Sequence, residues 1–208
     1  IWTMEFRNKT AQELELGDIA LPLKMNTDYI GGDLMDEEAV RLTYQNRLNM
    51  HRFISGNGSF IYWMRANGVG PYLLMVPADN TGLEYFDHDF IAYIHSACSG
   101  AGEKRGTWRL NHTGRILAAQ GKKGDTATYG FKFVWGDGYD GVREALYRNN
   151  VFDIHVVPGM VVPEDLYARF SLKTRNEILS IIPEHPDHTE LQYLGAAEKD
   201  LHVYSVKF

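Results

Sequence analysis

Residues 133–157, FVWGDGYDGVREALYRNNVFDIHVV, read as strand, glycine turn, helix and strand. Gly136, Gly138 and Gly141 fall in the spacing G-x-G-x-x-G, the dinucleotide-binding fingerprint when it follows a strand and opens a helix. Such a loop would make the chain a parallel α/β protein. In that setting backbone N–H groups and a helix N-terminus face a pyrophosphate. Here the variable positions hold Asp137 and Asp140, each repelling a diphosphate by on the order of 1–4 kcal/mol at moderate dielectric. The acid expected at the end of the second strand, to hold a ribose, is missing, because VFDIHVV runs into Pro158-Gly159. No other β-α unit exists to build a parallel sheet. The stretch therefore predicts a tight turn between a strand and a helix, not a nucleotide site. Asp137 or Asp140 caps the helix, and Val142, Ala145 and Leu146 make its apolar stripe. The two carboxylates could also serve a sugar or a calcium ion, but the alternating acids of a calcium loop are absent.

Working outward, most segments read as short strands. IWTMEFRN alternates large apolar with polar residues, and ELELGDIALPLKM does so around Gly17 and Pro22. SFIYWMRAN and PYLLMVPAD flank Gly68-Val69-Gly70, which suits a hairpin. GLEYFDHD, FIAYIHS, GTWRL, TATYGFKFVW, DLYARFSLKT, EILSII, LQYLG and LHVYSVKF continue the series. Only DEEAVRLTYQNRLN, with an acidic first turn capped by Asp33 or Asp36, joins VREALYRNN as a helix. At least ten strands with Gly, Asn and Asp turns predict a mainly β chain: an antiparallel β-sandwich with two short helices, one domain over residues 1–208.

Composition narrows the partners. Net charge is −6, and the Lys122-Lys123 pair is the nearest thing to a basic cluster, so nucleic acid is not expected. No apolar run approaches the roughly 20 residues of a membrane span. One cysteine, Cys98, leaves no internal disulfide framework and no multi-cysteine zinc site. Three sequons, at Asn8, Asn57 and Asn111, lean towards a secreted chain, extracellular or periplasmic. The chain opens at Ile1 and stops within the strand-like LHVYSVKF, so it reads as a fragment of a longer multidomain protein.

Several clusters invite chemistry. PEHPDH, residues 183–188, gathers Glu184, His185, Asp187 and His188, but its prolines forbid the helix that would put both histidines on one face. It reads as a connection between strands, and no metal is expected. Glu84, Asp87, His88 and Asp89 could hold an acid and a base, yet strand alternation sends His88 away from Asp87 and Asp89. His95-Ser96-Ala97-Cys98 suggests a nucleophile without the G-x-S-x-G context, and Cys98 on an apolar strand is expected to be buried and inert. Aromatic residues form 12% of the chain. Tyr62 and Trp63 are adjacent on a strand and point to opposite faces, so one can join the core and leave the other for a sugar ring or a neighbouring domain. Trp108 and Trp135 lie beside polar loops. The candidate carbohydrate-binding set is therefore Tyr62, Trp63, Trp108, Trp135, Asp137 and Asp140, while an interior and interdomain role explains the same aromatics.

Two stretches carry a family resemblance. IWTMEFRNKTAQELELGDIALPL resembles the opening of mutarotase-like β-sandwiches, with a strand, an N-x-T turn and a second strand. FKFVWGDGYDGVREALYRNNVFDIHVVPGMVVPEDLYARFSLKT, followed by IIPEHPDHTELQYL, resembles an uncharacterised family of large bacterial and fungal proteins. In those proteins a β-rich region accompanies a six-hairpin (α/α) glycosidase-like domain. The resemblance implies a galactose-mutarotase-like supersandwich within a carbohydrate-active, glycoside hydrolase-like protein, with no cofactor. Its partners would be a glycan or an adjoining (α/α) barrel that carries the acid and base. A stand-alone carbohydrate-binding module and a mutarotase-like sugar enzyme are the alternatives. The enzyme would need a histidine beside a carboxylate, drawn from residues such as His51, His155, Glu84 and Asp137. No catalytic residue transfers by position.

Overall fold

The computed structural model describes residues 1–25, 37–78, 80–87, 90–99, 111–159 and 161–208. They form a mainly β, antiparallel fold with two helices, of the sandwich class that the strand series predicts. The chain packs as two compact units, residues 1–142 and 143–208.

In the first unit the strands are β1 (Trp2–Arg7), β2 (Leu14–Leu16), β3 (Asp18–Pro22), β4 (Leu48–Phe53), β5 (Phe60–Arg65), β6 (Tyr72–Ala78), β7 (Tyr85–Phe86), β8 (Ile91–Ser96), β9 (Arg115–Leu117) and β10 (Thr126–Gly136). A five-stranded sheet runs β1-β10-β6-β5-β4, a three-stranded sheet runs β3-β8-β7, and β2 pairs β9. All of these pairings are antiparallel. Alternation along β10 explains its central place: Ala127, Tyr129 and Phe131 turn inward while Thr128 faces solvent. They meet Ile61, Trp63 and Met75 of the same sheet and Ile19, Leu21, Ala92 and Ile94 of the smaller one. Each large side chain removed from water this way contributes about 1.5–3 kcal/mol.

Asn8 shows why the N-x-T turn belongs to the fold. Its amide donates to the carbonyls of Gln12 (2.7 Å) and Ala118 (2.9 Å), and its carbonyl accepts from the Thr10 amide and hydroxyl, both at 2.8 Å. The side chain is buried, so the nitrogen of this sequon is spent inside the protein.

The helices are α1 (Glu37–Asn46) and α2 (Gly138–Arg148). Helix α1 stops before Leu48, which the helical reading included; Leu48 instead opens β4, paired along its length with β5. A neighbouring edge overrides local helical periodicity there. The GDGYDG turn is structural. A Cβ on Gly136 would lie 2.8 Å from the Val142 nitrogen, and one on Gly141 would lie 3.0 Å from the Gly136 carbonyl carbon. Gly138 has φ +73°, the left-handed region that glycine enters freely. The strand that precedes this turn pairs with antiparallel neighbours on both sides, so among the described residues it does not sit in the parallel sheet of a dinucleotide fold.

The second unit holds the C-terminal part of α2 and a four-stranded sheet, β11 (Asp153–Val157), β12 (Ala168–Lys173), β14 (Leu201–Lys207) and β13 (Glu190–Glu198), in that order. The predicted helical stripe is buried at Val142, Ala145 and Leu146. Arg143 Nε donates to Asp153 (2.8 Å), and the Tyr147 hydroxyl donates to Asp200 (2.6 Å), tying helix to sheet. EILSII forms no strand: residues 177–182 carry no sheet pairing, and Leu179 is 86% exposed. Alternation supplies a strand-like pattern but not a partner edge. PEHPDH contains one three-residue 3-10 turn, Pro186–His188, with no buried residue.

Candidate functional site

The structure separates the predicted aromatic set. Trp63 is a core residue, 2% exposed, and its buried indole N–H has no hydrogen-bond partner among the described residues. Its ring faces are taken up by packing, so it offers no platform. Tyr62, on the opposite face of β5, stacks on His51 (4.7 Å, 7° between planes) and lies parallel to Tyr72 at 6.2 Å. Tyr139 meets Tyr72 edge-on at 5.2 Å. Burial, reinforced by Tyr139 and Tyr72, pushes the Tyr62 phenol up to about 12. These rings use their faces on one another. Trp108 lies outside the described residues. Trp135 is different: it is 68% exposed. It shares a β10 face with Phe133, also at the surface, and sits opposite Leu73 of β6. Asp137, on the turn that follows, and Asp140, in the first turn of α2, are exposed as well. Trp135, Asp137 and Asp140 thus remain together near one end of β10.

Each candidate acid or base has its own surroundings. His51 is stacked on Tyr62, and His155 is exposed on β11 opposite Ser171. Glu84 lies instead in a network that the sequence did not reveal. Its carboxylate accepts from the Ser96 amide and hydroxyl (both 3.1 Å), the Thr113 amide (2.8 Å) and the Thr113 hydroxyl. Because the Thr113 proton goes to Glu84, its oxygen accepts from His95 Nδ1–H at 3.0 Å. In the neutral ring Nε2 is then left to accept from the Tyr129 hydroxyl at 2.8 Å. Burial pushes that phenol's pKa up. His112 Nδ1 meets the Ser96 oxygen at 2.8 Å, and Ser96 is fully buried with its proton committed to Glu84. Each donor is matched, so the network cross-links β8, β10 and the segment before β9 and leaves no free nucleophile. Cys98, expected to be buried, is exposed in the turn after β8. The strand ends before it, so burial of the strand does not reach its thiol.

A concave site occurs in the second unit. Residues 177–181 and the strands β13 and β14 enclose a groove of about 500 Å³, within the range typical of small-molecule sites. Tyr193, His202 and Tyr204 line its floor. Register places Tyr193 opposite Tyr204, while His202 and Tyr204 share a face of β14. Tyr204 is backed by Phe170, stacked at 5.0 Å and 12°, and touches Tyr193 at 5.1 Å. Burial, with Tyr193 adding to it, pushes the Tyr204 phenol's pKa up. The Tyr193 hydroxyl and His202 Nδ1 are 3.1 Å apart. Tyr193 is 52% exposed, so its ring is available. The sequence did not reveal this set because β13 and β14, although separated only by Lys199-Asp200, pair with register shifts between Tyr193 and Gly195 and between Ala196 and Glu198 that alternation does not predict; the alternation of His202 and Tyr204 was the available signal.

No protein-family model matches the chain, and no curated protein matches its sequence. Among solved structures, a polysaccharide lyase is similar over 98% of this chain, with a TM-score of 0.55 and 14% identity. The chain spans only 27% of that protein's length. The likeness is one of fold, extending across nearly every residue of this sandwich.

Proposed function

We propose that this chain is the β-sandwich part of a longer, secreted carbohydrate-active protein. It lies beside a separate catalytic domain, in the manner of the mutarotase-like supersandwiches that its sequence resembles. The observation that carries the reading is the fold likeness to a polysaccharide lyase, which takes in 98% of this chain but 27% of the other. A sandwich of this kind contributes support and glycan contacts while the acid and base reside elsewhere. The closed Glu84–His95 network is consistent with that division, since its donors and acceptors satisfy one another. Trp135 supplies the contact: an exposed indole face for sugar C–H groups, with Asp137 and Asp140 nearby for hydroxyls.

Two measurements test the reading. The chain 1–208 and the full-length gene product are assayed for polysaccharide cleavage, and the chain is titrated with glycans while tryptophan fluorescence is followed. Cleavage is expected only from the longer protein, and Trp135→Ala is expected to abolish the fluorescence response. Cleavage by the 208-residue chain itself would overturn the assignment of chemistry to another domain. The same exposed Trp135 favours one second reading, a binding module that acts alone; a full-length product without a helical barrel would select it.

A further inference from the structure

We propose that the groove of residues 177–204 is a second saccharide site, selective for neutral sugars over uronates. This deepens the carbohydrate reading above and rests on it. Tyr193 presents a half-exposed ring as the platform, held in place by Tyr204 and, behind it, Phe170. Phenol and imidazole then match sugar hydroxyls in either tautomer of His202. If Tyr193 donates to Nδ1, the ring carries its proton on Nε2 and offers a donor. If Nδ1–H donates to Tyr193, Nε2 becomes an acceptor and the Tyr193 proton is free. A sugar hydroxyl donates and accepts, so it satisfies both arrangements.

Selectivity comes from charge. Glu177 lines the groove, with Ser180 as a further hydroxyl, and among the described residues no Lys or Arg side chain does. A carboxylated ring placed there meets an acid with no counter-ion. At the high effective dielectric of an exposed carboxylate the expected discrimination is about fivefold.

The test uses isotope-labelled 208-residue protein, with cellobiose, mannobiose and xylobiose as neutral probes and digalacturonate as the charged one. NMR titration should move the Ser180, Tyr193 and His202 resonances with at least one neutral disaccharide, saturably. Tyr193→Ala should weaken that binding about fivefold to tenfold, and Tyr193→Phe, which keeps the ring, should restore most of it. Glu177→Gln should raise digalacturonate affinity to that of the neutral probes. Silence of these resonances with all three neutral disaccharides overturns the proposal. So does unchanged binding in Tyr193→Ala, or wild-type affinity for digalacturonate equal to that of Glu177→Gln. Trp135→Ala is run in parallel. Groove shifts lost in Tyr193→Ala but kept in Trp135→Ala uphold the groove as a site of its own, while a fluorescence response that survives Trp135→Ala counts against the Trp135 contact alone; groove shifts lost in Trp135→Ala but kept in Tyr193→Ala sink the groove alone.

Discussion

Residues 1–142 and 143–208 both build antiparallel sheet, but they bury it by different means. The first unit closes two sheets over a continuous interior, where Ile61, Met75, Leu83, Ala92 and Phe131 are wholly inaccessible. In the second, few apolar side chains are buried: Ala145, Leu146, Val151, Ala168 and Tyr204. A chain of that size has too much surface for its volume to rely on apolar burial alone. It compensates with charged and phenolic clamps around α2: Arg143 to Asp153, Tyr147 to Asp200, and Lys173 5.0 Å over the Tyr147 ring. The difference teaches where binding surface comes from. Aromatic rings that a large core would swallow stay at the surface of the small unit, and Tyr193 is one of them.

The largest effect should come from the first unit's interior. Phe131→Ala removes a ring at the centre of β10, and the cost expected is about 3–5 kcal/mol in denaturant unfolding. A loss below about 1 kcal/mol would mean that the interior can collapse around the gap, and the contrast between the units would fail.

Next stands the principal clamp of the second unit. Arg143→Ala leaves the Asp153 carboxylate, 9% exposed, without the guanidinium that accompanies it. Arg143 is itself 41% exposed, which tempers the penalty, so about 1–2 kcal/mol is expected. Asp153→Asn in the same background should recover part of it, because the uncompensated charge is gone. Equal stability of wild type and Arg143→Ala would show that the clamp is not what holds the small sheet.

Acid sharpens the comparison from the other side, since the first unit also carries carboxylate clamps, Asp18 among them. Burial acts to raise the Asp18 pKa, but the Ser99 hydroxyl (2.6 Å) and the Cys98 and Ser99 amides outweigh it and hold it below 3.8. Folded protein then binds fewer protons than unfolded protein between the lowered pKa and the ordinary one. The stabilisation is full above the ordinary value and is lost as pH falls through the folded one. Thermal melts from pH 5 downward should show wild type and Asp18→Asn converging. A gap that stays constant with pH would assign the effect to packing.

How far these features could be read beforehand differs with their range. The GDGYDG turn was legible because it is local: two carboxylates and a following stripe at Val142, Ala145 and Leu146 sufficed. Alternation also predicted that Tyr62 and Trp63 would part company, although which of them entered the core depended on the opposing sheet. Pairing was the harder part. Nothing local distinguishes EILSII, which finds no edge, from LQYLG, which pairs with β14, and LNMHRF was hidden behind helical periodicity. The groove depends on that same register, with a bulge between Tyr193 and Gly195 that realigns one strand. The Glu84–His95–Tyr129 network likewise joins positions brought close only by tertiary pairing.

The smallest effect tests whether every charge on α2 counts. Arg148 donates to Glu144 at 2.8 Å, one helical turn away, but its side chain is 74% exposed. Holding two long side chains in water costs rotamer freedom, and salt screens what is gained. Arg148→Ala should therefore cost no more than about 0.5 kcal/mol, and the difference should vanish in molar salt. The backbone carbonyl of Arg148, which accepts from Arg175 at 2.6 Å, survives the substitution and keeps its bond. A loss as large as that of Arg143→Ala, persisting in high salt, would mean that the second unit depends on its surface charges as a group. Its contrast with the first unit would then be one of electrostatics throughout, with the Asp153 clamp no more than a single member of that group.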